Sequence, residues 1–96
     1  MIACYILFSP SKNLFYTGFV QDSFEERLKK HNKGFYEKTF TSITNDWELF
    51  LLIDCNTIHE AICIEKHIKK MKSKIYIINL KKYPEMILKL KGKFRT

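Results

Sequence analysis

Two strand-forming apolar runs near the start of the chain, Ile2–Phe8 and Leu14–Val20, are joined by Ser9-Pro10-Ser11-Lys12-Asn13. No other feature constrains the fold as much. Runs rich in Ile, Phe, Tyr and Val favour extended backbone. The link is turn chemistry: proline presets φ, and serine and asparagine bond to their own backbone. The spacing predicts an antiparallel hairpin. Apolar groups fall on both faces of each run, so both strands are expected to be covered on both sides.

Downstream signals extend this frame. Asp22 or Ser23 can cap a helix over Phe24–His31, closed by Asn32-Lys33-Gly34 with Gly34 on the C-terminal side. Residues Phe35 to Asn45 are polar and Thr-rich and read as a loop. Trp47–Asp54 is almost continuously apolar and reads as a third strand. Asn56 or Thr57 can cap a helix running to Lys72, and Ser73 can restart one through Lys81. Pro84 suits the first turn of a last helix ending near Gly92. The order β-β-α-β-α-α-α implies a small α/β fold, a three-stranded antiparallel sheet flanked by helices, in one domain over residues 1–96.

Composition bounds what such a domain does. An apolar fraction of 46% suffices for a core. No run of about 18 uncharged apolar residues exists to cross a membrane, and the apolar start lacks a basic leader, so a cytoplasmic protein is expected. Cys4, Cys55 and Cys63 lie in apolar runs without CxxC spacing and read as buried free thiols. Charge is divided along the chain. Residues 1–65 carry six Lys/Arg against nine Asp/Glu, whereas residues 66–96 carry eleven against Glu85 alone, within a formal net charge of +7. A basic segment of this kind attracts polyanions, although a solvated lysine-rich surface has the same composition.

Some polar residues interrupt apolar faces. The apolar side of the 57–72 helix is set by Ile58, Ala61, Ile64, Ile68 and Met71. At about 100° per residue, Glu65 falls in the arc between Ile58 and Ala61. A carboxylate there is costly unless it binds a cation or pairs with a lysine. In the first helix Phe24 and Leu28 mark the inner side, and Arg27 and His31 lie one turn apart on it. They form either a surface pair with buried stems or a phosphate-binding group beside a proton-transfer group. Tyr5 and Tyr16 alone are ordinary strand residues.

In order along the chain, these segments resemble the GIY-YIG nucleases. Cys4-Tyr5-Ile6-Leu7 and Phe15-Tyr16-Thr17-Gly18 resemble the paired motif, with Ala3-Cys4-Tyr5 in place of Gly-Ile-Tyr and Thr17 in place of isoleucine. Glu26-Arg27-Leu28-Lys29-Lys30-His31-Asn32 resembles the R-L-x-x-H-N helix, and Trp47-Glu48-Leu49 the third strand. His59-Glu60-Ala61 and Ile64-Glu65-Lys66-His67-Ile68-Lys69 resemble the E-A-x-x-x-E-x-x-I-K helix. Lys72-Ser73-Lys74 follows as in small stand-alone members, which are similar to the N-terminal catalytic domain of an excision-repair nuclease subunit.

The resemblance implies a metal-dependent endonuclease acting on DNA, with a link to DNA repair. Glu65 would hold one Mg²⁺, for which Mn²⁺ substitutes. Tyr5 and Tyr16 would be active-site phenols, and Arg27 and His31 phosphate-side groups, with Tyr5 or His31 as general base. Asn79 is carried over as a DNA-binding residue. Lys69, Lys70, Lys72 and Lys74 would track the backbone beside the cut, giving affinity but little sequence information. Site selection would then be weak, led by substrate structure, or supplied by a partner protein. The residues alone leave RNA open as a substrate. The alternative function is a nucleic-acid-binding module of the same fold without catalysis. The middle loop is assigned no role.

Overall fold

The computed structural model describes residues 1–34 and 40–95. Strands β1 (Ala3–Ser9) and β2 (Leu14–Val20) form the hairpin, and β3 (Glu48–Asp54) pairs antiparallel with the free side of β1. The sheet order is therefore β2-β1-β3. Asn13 makes the turn with φ of 53°, a left-handed conformation that asparagine tolerates. Helix α1 (Phe24–Asn32), a short 3-10 turn (Phe40–Ile43), α2 (Ile58–Met71), α3 (Lys74–Lys82) and α4 (Pro84–Lys93) complete the chain. The fold class and element order are those the sequence predicts.

The helix starts follow from local hydrogen bonding. Ser23, Thr57 and Ser73 occupy the N-cap positions of α1, α2 and α3, and each side chain accepts the backbone N–H three residues on. That contact satisfies one of the amides a helix start leaves unpaired. Pro84 stands in the first turn of α4, where its missing N–H costs nothing. Helix α2 stops at Lys72, whose φ of 48° and ψ of 41° turn the chain into α3.

Alternation along β1 divides the core into two layers. Cys4 and Ile6 pack with Ile53, Ile64, Ile68, Ile77, Leu80 and Leu90 beneath α2, α3 and α4. Ala3, Tyr5 and Leu7 pack with Val20, Phe24 and Trp47 on the α1 side. Ile64 and Ile68 are essentially fully buried, each stabilising the fold by about 1.5–3 kcal/mol. The register slips between Ile6 and Leu7, which face Leu51 and Leu49, leaving Phe50 as an extra residue in β3. Such a bulge bends its strand.

Four expectations are corrected. β1 is covered on both faces, but β2 is an edge strand with Leu14, Phe15, Tyr16 and Phe19 only half-buried. Cys4 alone of the cysteines is buried; Cys55 follows the end of β3, and Cys63 faces outward on α2 with its Sγ 3.5 Å from His59 Nε2. Met71 ends α2 exposed, past the reach of the core. The segment read as a loop contains the 3-10 turn, with Thr41 buried in it; its residues 35–39 lie outside those described. Among the described residues, no helix is long and apolar enough to cross a membrane.

Candidate active site

Beside β2 a small cleft of about 140 Å³ is lined by Tyr5, Tyr16, Gly18, Phe19, Arg27, His31, Thr41 and Glu65. Four elements and the 3-10 turn therefore meet at one point. β1 contributes Tyr5, β2 contributes Tyr16 and Gly18, α1 contributes Arg27 and His31, and α2 contributes Glu65. The edge position of β2 makes this possible, because among the described residues no further strand closes that side of the sheet.

Tyr5 and Gly18 are cross-strand partners. The Tyr5 ring lies across the space a side chain at Gly18 would take: a Cβ there would stand 2.6 Å from Tyr5 Oη and 2.7 Å from its Cζ. Phe24 packs edge-on against the same ring at 5.5 Å. Tyr5 Oη lies 2.8 Å from His31 Nε2, and His31 Nδ1 lies 2.8 Å from Thr41 Oγ1. Both imidazole nitrogens are thus engaged and the ring orientation is fixed. Burial, and secondarily the Arg27 charge, lowers the His31 pKa to about 4. His31 is therefore neutral near physiological pH, with one nitrogen a donor and the other an acceptor.

Thr41 is held in turn. The Trp47 indole N–H donates to the Thr41 carbonyl at 2.9 Å. Asn32 grips the Trp47 backbone from both sides, accepting its N–H at 2.7 Å and donating to its C=O at 2.9 Å. The end of α1 and the start of β3 are thereby locked around the imidazole. Farther out, Asp46 accepts from Ser9 and Thr44, both at 2.6 Å, and from the Ser11 amide at 2.9 Å. These bonds, that from Ser9 foremost, hold its carboxyl well below the usual range and tie the hairpin turn to the segment before β3.

Glu65 reaches the cleft from α2 with 13% of its side chain exposed, and Lys69 donates to Oε2 at 3.2 Å. Glu65 thus pairs with a lysine, one of the two readings its sequence position allows, and it faces the cleft. Lys69 also lies over the Tyr16 ring, 5.2 Å from its centroid. No group of three or more His, Cys, Asp or Glu positioned to hold a metal occurs among the described residues. The donor set still fits magnesium, a hard cation that keeps several waters and takes one or two carboxylates together with substrate phosphate. Among the described residues of the cleft lining, Glu65 is the carboxylate.

The other sequence-derived residues divide by location. Lys69, Lys72 and Lys74 line a groove adjoining the cleft. Lys70 faces another surface, beside Lys66, His67 and Lys93. Asn79 sits half-buried on α3, its carbonyl accepting the Tyr83 amide, and lines neither the cleft nor the groove. Sequence reasoning missed Thr41, which lies in a segment without local pattern. It noted Gly18 as retained but gave it no role, although the hairpin register sets it opposite Tyr5. Of the three departures from the family motif, Cys4 and Thr17 are buried on strand faces pointing away from the tyrosines, and Ala3, on the Tyr5 face, is fully buried in the core. None of the three lines the cleft.

A family model described as the GIY-YIG catalytic domain matches residues 1–83. Neither the search of curated proteins nor that of solved structures returned a match.

Proposed function

The chain belongs to the GIY-YIG catalytic-domain family, and from that premise we propose that it is a magnesium-dependent endonuclease that hydrolyses DNA phosphodiester bonds, with weak or structure-led site selection. The observation that carries this reading is the convergence of Tyr5, Tyr16, Arg27, His31 and Glu65 on one cleft. Hydrolysis needs a water stripped of a proton, donors for the charge that gathers at phosphorus, and a carboxylate to anchor the metal. These side chains supply each of them.

Arg27 braces the non-bridging phosphate oxygens with a planar fork of donors that lysine does not reproduce. Tyr5 stands at the cleft with a neutral imidazole 2.8 Å from its oxygen. With Nδ1–H donating to Thr41, the Nε2 lone pair accepts the Tyr5 proton. As the attacking water gives a proton to the Tyr5 oxygen, the phenol's own proton passes to His31. In the free protein burial, and secondarily the Arg27 charge, opposes protonation of the ring. A bound phosphate offsets that charge, so the imidazole becomes more basic when substrate is in place. Tyr16 lies beside both partners, its ring 5.3 Å from His31 and 6.5 Å from Tyr5, and walls one side of the pair. Glu65 would hold the magnesium ion, which when bound supplies Lewis-acid polarisation of the phosphate.

Glu65→Gln tests the reading. Glutamine preserves size and helix preference but removes the anionic ligand. Cleavage of duplex DNA in magnesium should fall by at least about a hundredfold. Duplex affinity should persist, and stability should change by less than about 1 kcal/mol, because the lost partner is a partly exposed lysine pair. Full magnesium-dependent cleavage by the purified variant would sink the single-metal mechanism.

A further inference from the structure

Next to the cleft runs a groove of about 430 Å³, a volume within the range of ligand sites. It shares the Tyr16 wall with the cleft, and its Lys69 pairs with Glu65 of the cleft lining. Ile68 and Ile77 are apolar parts of its lining, and among the described residues every charged one there is a lysine: Lys69, Lys72 and Lys74. Lys74 is tethered by donating to the Asn13 carbonyl at 2.7 Å. Phe40 is 48% exposed on this groove, and its ring lies nearly parallel to Tyr16, at 18° and 6.2 Å between centroids.

An apolar groove with aromatic faces and a purely cationic rim matches one ligand chemistry, a planar ring carried on an anionic backbone. Duplex bases have both faces covered by their neighbours. Only an unpaired base offers a free π-face, and base–aromatic stacking together with lysine–phosphate contact is how unpaired strands are held. Resting on the nuclease reading above, we propose that the groove seats an unpaired nucleotide beside the scissile phosphate. Its base stacks on the Phe40–Tyr16 pair, and its phosphates lie against Lys69, Lys72 and Lys74. The preferred substrate is then DNA with a single-stranded extension or flap next to the cut, not continuous duplex.

The experiment uses the full chain carrying Glu65→Gln, which blocks cutting, and two DNA hairpins, one blunt and one with a single-stranded extension. A 2-aminopurine at the first unpaired position reports stacking. The extended hairpin should bind on the order of tenfold tighter than the blunt one, with the 2-aminopurine signal quenched on binding. Adding Phe40→Ala should abolish both effects and leave blunt-hairpin affinity unchanged; adding Phe40→Trp should retain them. Equal affinity for the two hairpins overturns the proposal, as does a preference that survives Phe40→Ala. Cleavage by the unsubstituted chain is scored separately. Cutting without a preference for the extension overturns the groove assignment alone. A Phe40-dependent preference without cutting overturns the nuclease reading and leaves a nucleotide-binding groove.

Discussion

Tyr5 belongs to the most deeply buried strand, yet its phenol ends in the cleft because the residue across the hairpin is Gly18. Gly18→Ala would place a methyl group 2.6 Å from Tyr5 Oη. Hemmed in by Phe24 and His31, the ring can yield only by leaving its hydrogen bond to the imidazole. Overpacking of this kind costs about 1–3 kcal/mol. The chemical loss should be larger, at least about a hundredfold in cleavage, because a misplaced reacting group forfeits its orientation. Cleavage rates set beside urea unfolding curves separate the two effects; a parent-like rate would show that Tyr5 does not act where it lies. His31 makes a second prediction, in pH. Its folded pKa of about 4 lies below the ordinary 6.5, so the unfolded chain binds the proton first. This contribution to stability is complete above about pH 6.5 and is lost as pH falls toward about 4. Allowing for screening by water in the open cleft, the loss is about 2 kcal/mol. His67 is also depressed by burial and by Lys93 and Lys70, so some acid slope remains in any His31 variant. His31→Gln should flatten the rest, followed by urea unfolding through the fluorescence of Trp47, the single tryptophan. An unchanged slope would mean that His31 is not buried neutral.

Elements show how far the chain can be read without coordinates. Helix starts were legible to within one residue, because a cap is made by residues three apart: Ser73 is the cap, and the structure selects Ser23 over Asp22 and Thr57 over Asn56. The Glu65–Lys69 pair was equally local, four residues apart on one helix. Arg27, His31 and Glu65 stood out as polar residues on apolar arcs, and only the family resemblance joined them to the tyrosines. Strand order was not legible: apolar residues on both faces of β2 do not reveal that it lies at an edge. Nor was Thr41, whose contact with His31 depends on a turn fixed by the Trp47 indole and by the Asn32 clamp. The clamp is itself testable. Asn32→Ala removes two partly buried hydrogen bonds to the Trp47 backbone and leaves those groups to find water, at a cost of about 2 kcal/mol. In a domain of 96 residues that lowers Tm by about 10 °C. Cleavage should fall as well, since Thr41 then no longer fixes the His31 ring. A variant with parent Tm would show that the chain closes this corner without the asparagine.

Across the whole molecule, the basic C-terminal third does not act as one surface. Residues 66–96 hold eleven of the seventeen Lys/Arg, but the fold sends them in different directions. Lys72 and Lys74 line the groove beside the cleft, whereas Lys70 and Lys93 border a separate surface with Cys63 and His67. A nucleic acid lying in the cleft would meet the first pair and leave the second in solvent. Each phosphate neutralised adds about −0.9 to the slope of log K against log salt. Charge reversal at Lys72 and Lys74 together should therefore flatten the slope for DNA with a single-stranded extension by about 2 and weaken binding at low salt. The same reversal at Lys70 and Lys93 removes as much net charge. It should lower affinity only through the long-range field, which salt near physiological strength screens within about 8 Å, and leave the slope nearly unchanged. Fluorescence anisotropy over a salt series measures both. Equal flattening by the two pairs would mean that the DNA path is not set by the cleft, and a flat response in the unsubstituted chain would count against nucleic acid as its substrate.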